Sequence, residues 1–146
     1  RVRIRPGTPF SFGVLPEAGD TPPLPVFGLP GNPASSFVTF QIFARPFLLA
    51  LAGHRRIHRP MLTATAGDAF ESPPHLTHFF RVNLRGDPAE PSARLTGPQG
   101  SGLVRGGGLA RGLAVVPEGV SLVNPGERVR VILLDEMGLG GNRPGF

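Results

Sequence analysis

Hydrophobic and polar positions along this chain change period twice. Val2 and Ile4 alternate with Arg3 and Arg5, the mark of a short strand with one wet face. A turn at Pro6-Gly7-Thr8-Pro9 follows. Phe10, Phe12 and Val14 alternate again. After a loop over residues 17–23, the run 25–29 (PVFGL) predicts a buried strand, broken by Pro30-Gly31-Asn32-Pro33. The period then becomes helical. Phe37, Phe40, Phe47, Leu48 and Leu51 share a face that Val38, Ile42 and Leu49 widen. This predicts a helix over about 33–52 that is buried on more than one side. Asn32 suits its N-cap and Pro33 its first position. Pro46 should kink it, and Gly53 should stop it.

Residues 54–60 (HRRIHRP) form a basic, polar break, where a domain boundary is expected. Beyond it the period is two. Residues 62–66, 79–84, 94–96, 113–116 and 128–134 are strand candidates, separated by Gly, Pro and Asp turns. Short strands at this spacing predict a small barrel or sandwich. The expected division is therefore an α/β part over 1–53, a linker over 54–60, an all-β domain over 61–137 and a loose tail over 138–146.

Composition narrows the chemistry. At 146 residues and 40% hydrophobic, the chain can build a core, and its 21 Gly and 18 Pro lie between apolar runs as turns. With no Cys, disulfides, thiolate zinc and a cysteine nucleophile are excluded. All 15 basic residues are Arg, so a lysine Schiff base or P-loop lysine is excluded within this chain. The net charge of +5 suits an anionic small molecule or a nucleic acid. The most apolar stretch, residues 37–51, contains Gln41, Arg45 and Pro46 and is short for a bilayer, so no membrane partner is expected. The pairs His54/His58 and His75/His78 lack a third metal ligand at suitable spacing, and the first sits among arginines. The acidic residues show no paired general acid/base arrangement.

Three turns could hold an anion. At Gly28-Leu29-Pro30-Gly31-Asn32-Pro33-Ala34-Ser35-Ser36 a strand gives way to a helix whose first N–H groups lack internal partners. A well-capped connection without a ligand explains the same residues. Gly97-Pro98-Gln99-Gly100-Ser101-Gly102, with Arg105 beyond it, is glycine-rich but matches neither a Walker loop nor a dinucleotide fingerprint. Arg5-Pro6-Gly7-Thr8-Pro9 joins a cation, a hydroxyl and a rigid turn, and a plain hairpin turn fits it equally well.

Together these segments resemble the C-terminal part of the molybdopterin molybdenumtransferases, the MoeA/gephyrin E-domain family of molybdenum cofactor synthesis. The resemblance rests on Arg5-Pro6-Gly7-Thr8-Pro9, Val26 to Ser35, Gln99-Gly100-Ser101-Gly102, Gly112-Leu113 and Val116-Pro117-Glu118-Gly119, in order over about residues 1–135. It implies the end of an α/β molybdopterin-binding domain followed by a small β-barrel-like domain. It implies insertion of molybdate into adenylylated molybdopterin with release of AMP, magnesium as cofactor, and a cytoplasmic homodimer without a nucleic-acid or membrane partner. The magnesium ligands would lie outside this chain, which should not turn over alone.

Residue by residue, the resemblance places Thr8, Pro9, Ser35, Arg81 and Ser101 near molybdate, and Arg5, Gly31 and Asn32 near the molybdopterin phosphate. Thr8 stands where the family has a lysine, so one charge is missing, and Arg105 or Arg111 could replace it. Two other readings remain at this point. One is a scaffold relative that binds a partner peptide. The other is a basic barrel that binds nucleic acid, which would need exposed aromatics beside its arginines.

Overall fold

The computed structural model describes residues 2–17, 19, 22–97, 99 and 110–134. Its strands are β1 (Ile4–Arg5), β2 (Ser11–Leu15), β3 (Leu24–Gly28), β4 (Met61–Ala66), β5 (Phe70–Glu71), β6 (Thr77–Arg85), β7 (Ser92–Leu95), β8 (Gly112–Val116), β9 (Leu122–Val123) and β10 (Arg128–Leu133). One helix, Pro33–Leu51, lies between β3 and β4.

The protein is mostly sheet around a closed five-stranded barrel. The order is β6-β7-β4-β10-β8, and β8 returns to β6 to close it. All neighbours run antiparallel except β4 and β7, which are parallel through Thr65↔Ser92 and Ala66↔Ala93. These are the five strands that the period-two pattern predicts. The short pair β5–β9 is additional, and two residues are too few to show a period.

A five-stranded barrel is narrow, and its filling follows from that. Ala64, Ala66, Ala93 and Ala114 point small side chains into the core. They leave room for Phe70 and Phe80, which meet edge to face at 5.2 Å. Val82, Val116, Val129 and Val131 complete the filling. Outside the wall a second cluster forms. Leu113 and Phe79 from β8 and β6 pack with Ile4 and Val38, and Val115, Ile132, Phe37 and Ile42 flank them. The N-terminal segment is thus laid onto the barrel. β1 extends the sheet by pairing with β6 in parallel, Ile4↔Thr77 and Arg5↔His78.

Residues 54–60 contain neither helix nor strand. Arg59 in this stretch is not simply solvated: its Nε donates to Gln41 Oε1 at 2.8 Å and its NH1 to the Leu134 carbonyl at 2.7 Å. It ties the helix to the end of β10.

Two expectations change. The helix forms where predicted but is not buried on several sides: Phe40, Leu48 and Leu51 are exposed. The strand expected over 25–29 forms as β3, yet it is only half-buried, because β2 and β3 make a hairpin with no third strand beside it. Phe10, Phe12, Phe27, Phe43 and Phe47 join this hairpin to the helix, with ring centroids 4.7–6.2 Å apart. The kink expected at Pro46 takes the form of a widened turn. Residues Phe40–Ala44 are π-helical, and the Arg45 N–H reaches back to the Phe40 carbonyl. Pro46 has no N–H, and its ring would crowd the carbonyl four residues back. A wider turn placed just before it relieves both. At 19 residues the helix is also longer than the 37–51 stretch. It is long and apolar enough to cross a membrane by length and composition, which the sequence reading did not allow.

Candidate anion-binding site

The turn after β1 is held from within. The Phe10 N–H donates to the Gly7 carbonyl at 3.0 Å. Gly7 has φ +124, where an L side chain would be strained, and a Cβ there would overlap the Thr39 methyl. The Thr8 hydroxyl donates to the Ile4 carbonyl at 2.9 Å. Its proton is therefore spent on the backbone and is not presented to a ligand.

The helix start is likewise self-satisfied. Asn32 Oδ1 accepts from the Ala34 N–H at 2.9 Å and the Ser35 N–H at 3.4 Å. The Ser36 N–H donates to the Asn32 carbonyl, and the Ser36 hydroxyl donates to the Pro30 carbonyl. An N-cap of this kind contributes about 1 kcal/mol. It also occupies the N–H groups that an anion would need, so at Gly31-Asn32 the capped-connection reading fits the geometry better than the anion site.

A cavity of about 110 Å³ does form at the seam between the N-terminal segment and the barrel. Arg5, Pro6, His78, Phe79, Arg81 and Gln99 line it. Of the residues singled out in the sequence, Arg5 and Arg81 are brought together here. Thr8, Pro9, Gly31, Asn32 and Ser35 are not in its lining. Arg111 is also outside it and donates its N–H to the Val82 carbonyl. Ser101 and Arg105 lie outside the described residues. A larger open groove elsewhere is lined, among the described residues, by Glu71, Ser72, Pro73, Ser121 and Leu122, none of them a cation.

Arg81 is only 3% exposed, and the chain fixes its backbone with unusual care. Gln99 Oε1 accepts from the Arg81 N–H at 2.8 Å, while Gln99 Nε2 donates to the Arg81 carbonyl at 3.2 Å. The side-chain amide thus pairs with Arg81 as a neighbouring strand would. The Thr96 N–H and hydroxyl donate to the same carbonyl at 3.1 and 3.3 Å. Burial lowers the Arg81 pKa below the usual arginine value. An anion in the cavity would offset that penalty.

His78 is the residue that sequence reasoning missed. The pattern presented it only as half of a weak metal pair. It is 6% exposed and stacks on Phe80 at 3.8 Å between ring centroids. Burial first, and Arg5 second, push its pKa down to about 4 from the ordinary 6.5. The folded chain therefore binds fewer protons than the unfolded chain between those values, and stability should rise with pH across that window. We expect urea stability to fall on acidification from about pH 6.5 to about pH 4, by at most about 1.4 kcal/mol per pH unit from this group. His78→Gln should flatten that slope, and an unchanged slope would assign the effect elsewhere.

The closed barrel, with two arginines from distant segments lining a cavity at its seam, defines a small β-barrel domain. Residues 63–134 match the family described as MoeA C-terminal region (domain IV), and the barrel of this chain belongs to that family. Similar proteins extend the match beyond the barrel. A molybdopterin molybdenumtransferase 2 of Mycobacterium tuberculosis is 33% identical over 131 residues, covering 90% of this chain and 30% of that protein. A molybdopterin molybdenumtransferase of Nostoc sp. is 30% identical over 136 residues, covering 91% and 30%. The crystal structure of a molybdopterin biosynthesis MoeA protein from Pyrococcus horikoshii superposes with a TM-score of 0.70 at 32% identity, covering 91% of this chain and 30% of that one. The chain thus spans about a third of these relatives' length.

Proposed function

We propose that this chain is the C-terminal part of a molybdopterin molybdenumtransferase, and that the Arg5–Arg81 cavity takes the tetrahedral oxyanion molybdate. One observation carries the reading: a guanidinium from β1 and a buried guanidinium from β6 converge on a cavity with room for several waters, and so for a four-oxygen anion. Arginine suits such an anion because its planar fork donates two parallel hydrogen bonds. The names of the relatives supply the reaction class.

On this reading residues 1–53 complete an α/β molybdopterin-binding domain, and the whole protein acts as a cytoplasmic homodimer. It inserts molybdate into adenylylated molybdopterin with release of AMP. Thr8, Pro9 and Ser35 lie outside the lining and are assigned no contact with the anion. Among the described residues no three His, Asp or Glu side chains gather. On this reading magnesium is held by residues outside this chain, and the task of this chain is anion binding.

The test is calorimetric titration of molybdate, with sulfate as comparison, into the chain and its Arg81→Lys and Arg81→Ala variants. Far-ultraviolet dichroism would verify folding. Concentrations need amino-acid analysis, since there is no Trp or Tyr. Molybdate should bind the parent chain. Arg81→Ala should weaken binding at least tenfold, consistent with about 1.5–3 kcal/mol for hydrogen bonds to charged groups. A folded parent chain that binds no molybdate overturns the reading.

A further inference from the structure

One edge of β6 is shared between two partners, and the cavity lies where neither reaches. His78 pairs with Arg5 of β1 on that edge and with Val116 of β8 on the other. Val82 likewise pairs with Leu95 of β7 and with Gly112 of β8. β1 and β7 therefore lie on the same side of β6, and residues 79–81 between them face no strand there among the described residues. The end of β1, this gap and Gln99 supply the cavity lining. The β6–β7 register would next pair Arg81 with Thr96. Half of that pair forms: the Thr96 N–H donates to the Arg81 carbonyl at 3.1 Å. But β7 ends at Leu95 and Gly97 adopts φ +110, and the Arg81 N–H donates instead to Gln99 Oε1 at 2.8 Å. Gln99 Nε2 donates to the Arg81 carbonyl at 3.2 Å and to the Gly97 carbonyl at 3.0 Å. Both amide hydrogens are thus used on backbone carbonyls, and Oε1 is an acceptor, so Gln99 has nothing left to donate to an anion.

We propose that Gln99 is the positioning residue of this cavity: its side-chain amide stands in for the absent strand beside Arg81, fixes the β6 backbone there, and so holds the Arg81 guanidinium ready for an oxyanion. The inference rests on the reading that the cavity binds a tetrahedral oxyanion. Without Gln99 the N–H of a residue only 3% exposed would lose its partner, and the β6 backbone could open locally at the gap. An arginine carried on a loosened backbone must be ordered at each binding event, which lowers affinity. With the amide in place that ordering is completed on folding. The bond from Nε2 to the Gly97 carbonyl ties the amide to its own loop, so the support is itself anchored. Gln99 therefore acts on the anion through Arg81, and its effect should vanish when Arg81 is removed.

The experiment pairs calorimetric titration of sodium molybdate with amide hydrogen exchange followed by NMR. It uses the 146-residue chain, Gln99→Met, Arg81→Ala and the double variant. Methionine keeps the length of the side chain and removes its hydrogen bonds. Gln99→Met should weaken molybdate binding by about threefold to tenfold, the size expected for lost hydrogen bonds. In the Arg81→Ala background the same change should cost nothing further. In the parent chain the Arg81 amide should be as protected as those of Phe80 and Val82. In Gln99→Met it should exchange about tenfold faster or more, while the β10 amides stay unchanged and so report an intact barrel. Parent-like affinity in Gln99→Met overturns the inference and leaves the molybdate reading standing. An equal loss in the Arg81→Ala background also overturns it, by showing that Gln99 acts on the anion without Arg81. The parent chain alone supplies a further test: an Arg81 amide that exchanges freely while Phe80 and Val82 remain protected overturns the inference without any variant. A folded chain that binds no molybdate overturns both readings.

Discussion

Replacing Phe70 with alanine is expected to lower the free energy of unfolding by about 3–5 kcal/mol. Small domains hold only about 5–15 kcal/mol in total, so this one change should bring the barrel close to its folding threshold. The ring is fully buried and meets Phe80 edge to face inside a wall otherwise lined largely by Ala and Val. Alanines at 64, 66, 93 and 114 cannot move inward to fill the space, because their positions are set by the closed ladder. Urea unfolding followed by far-ultraviolet dichroism would measure the loss. A midpoint equal to that of the parent chain would mean that Phe70 does not fill the barrel.

Gly7→Ala should be nearly as damaging, for a different reason, and should affect the site as well as the fold. At φ +124 an L side chain carries strain of about 1–3 kcal/mol. The new Cβ would also overlap the Thr39 methyl and come within 3.1 Å of Ile4 Cδ1. Overpacking of this kind adds about 1–3 kcal/mol. Thr39 cannot easily yield: it is fully buried and its hydroxyl donates to the Ser35 and Ser36 carbonyls. The turn must therefore lift away from the helix, and Arg5, two residues before it, moves with it. We expect a lower urea midpoint together with weaker molybdate binding. Unchanged affinity in a destabilised variant would show that the turn can shift without moving Arg5.

The five barrel strands were legible from the Gly, Pro and Asp turns that end them and, in β4 and β10, from a period of two. β10 shows the rule well: Val129 and Val131 point inward while Arg128 and Arg130 face water. β8 departs from it, and the departure is informative. Leu113 and Val115 are apolar on the outer side because Val38 and its neighbours cover them, so alternation weakens where a second layer arrives. Strand order was not legible. Nothing local encodes the parallel contact of β4 with β7 or the closure of β8 on β6. The exposed side of the helix was misread because a single sequence shows which positions are apolar, not which of them meet a neighbour.

The cavity was legible only in part. Arg5 and Arg81 were reached through resemblance, since an arginine after a turn and another within a strand have no distinguishing pattern. Gln99 stood out in a motif, but its pairing with the Arg81 backbone depends on how the loop folds back. His78 looked like one member of a metal pair because spacing alone cannot tell a buried ring from an exposed one.

The parallel pairing of β1 with β6 carries a topological consequence. Parallel neighbours cannot be joined by a tight hairpin, so the β2–β3 hairpin, the helix, residues 54–60, β4 and β5 together form the return path between β1 and β6. Closing such a path is an entropic matter that grows only logarithmically, about 0.6 kcal/mol for each doubling of a flexible length. The length of this return path can therefore drift by insertion with little effect on the cavity. What must stay fixed are its moorings: the two ladder positions at Ile4 and Arg5, the Val38 contact, and the double grip of Arg59.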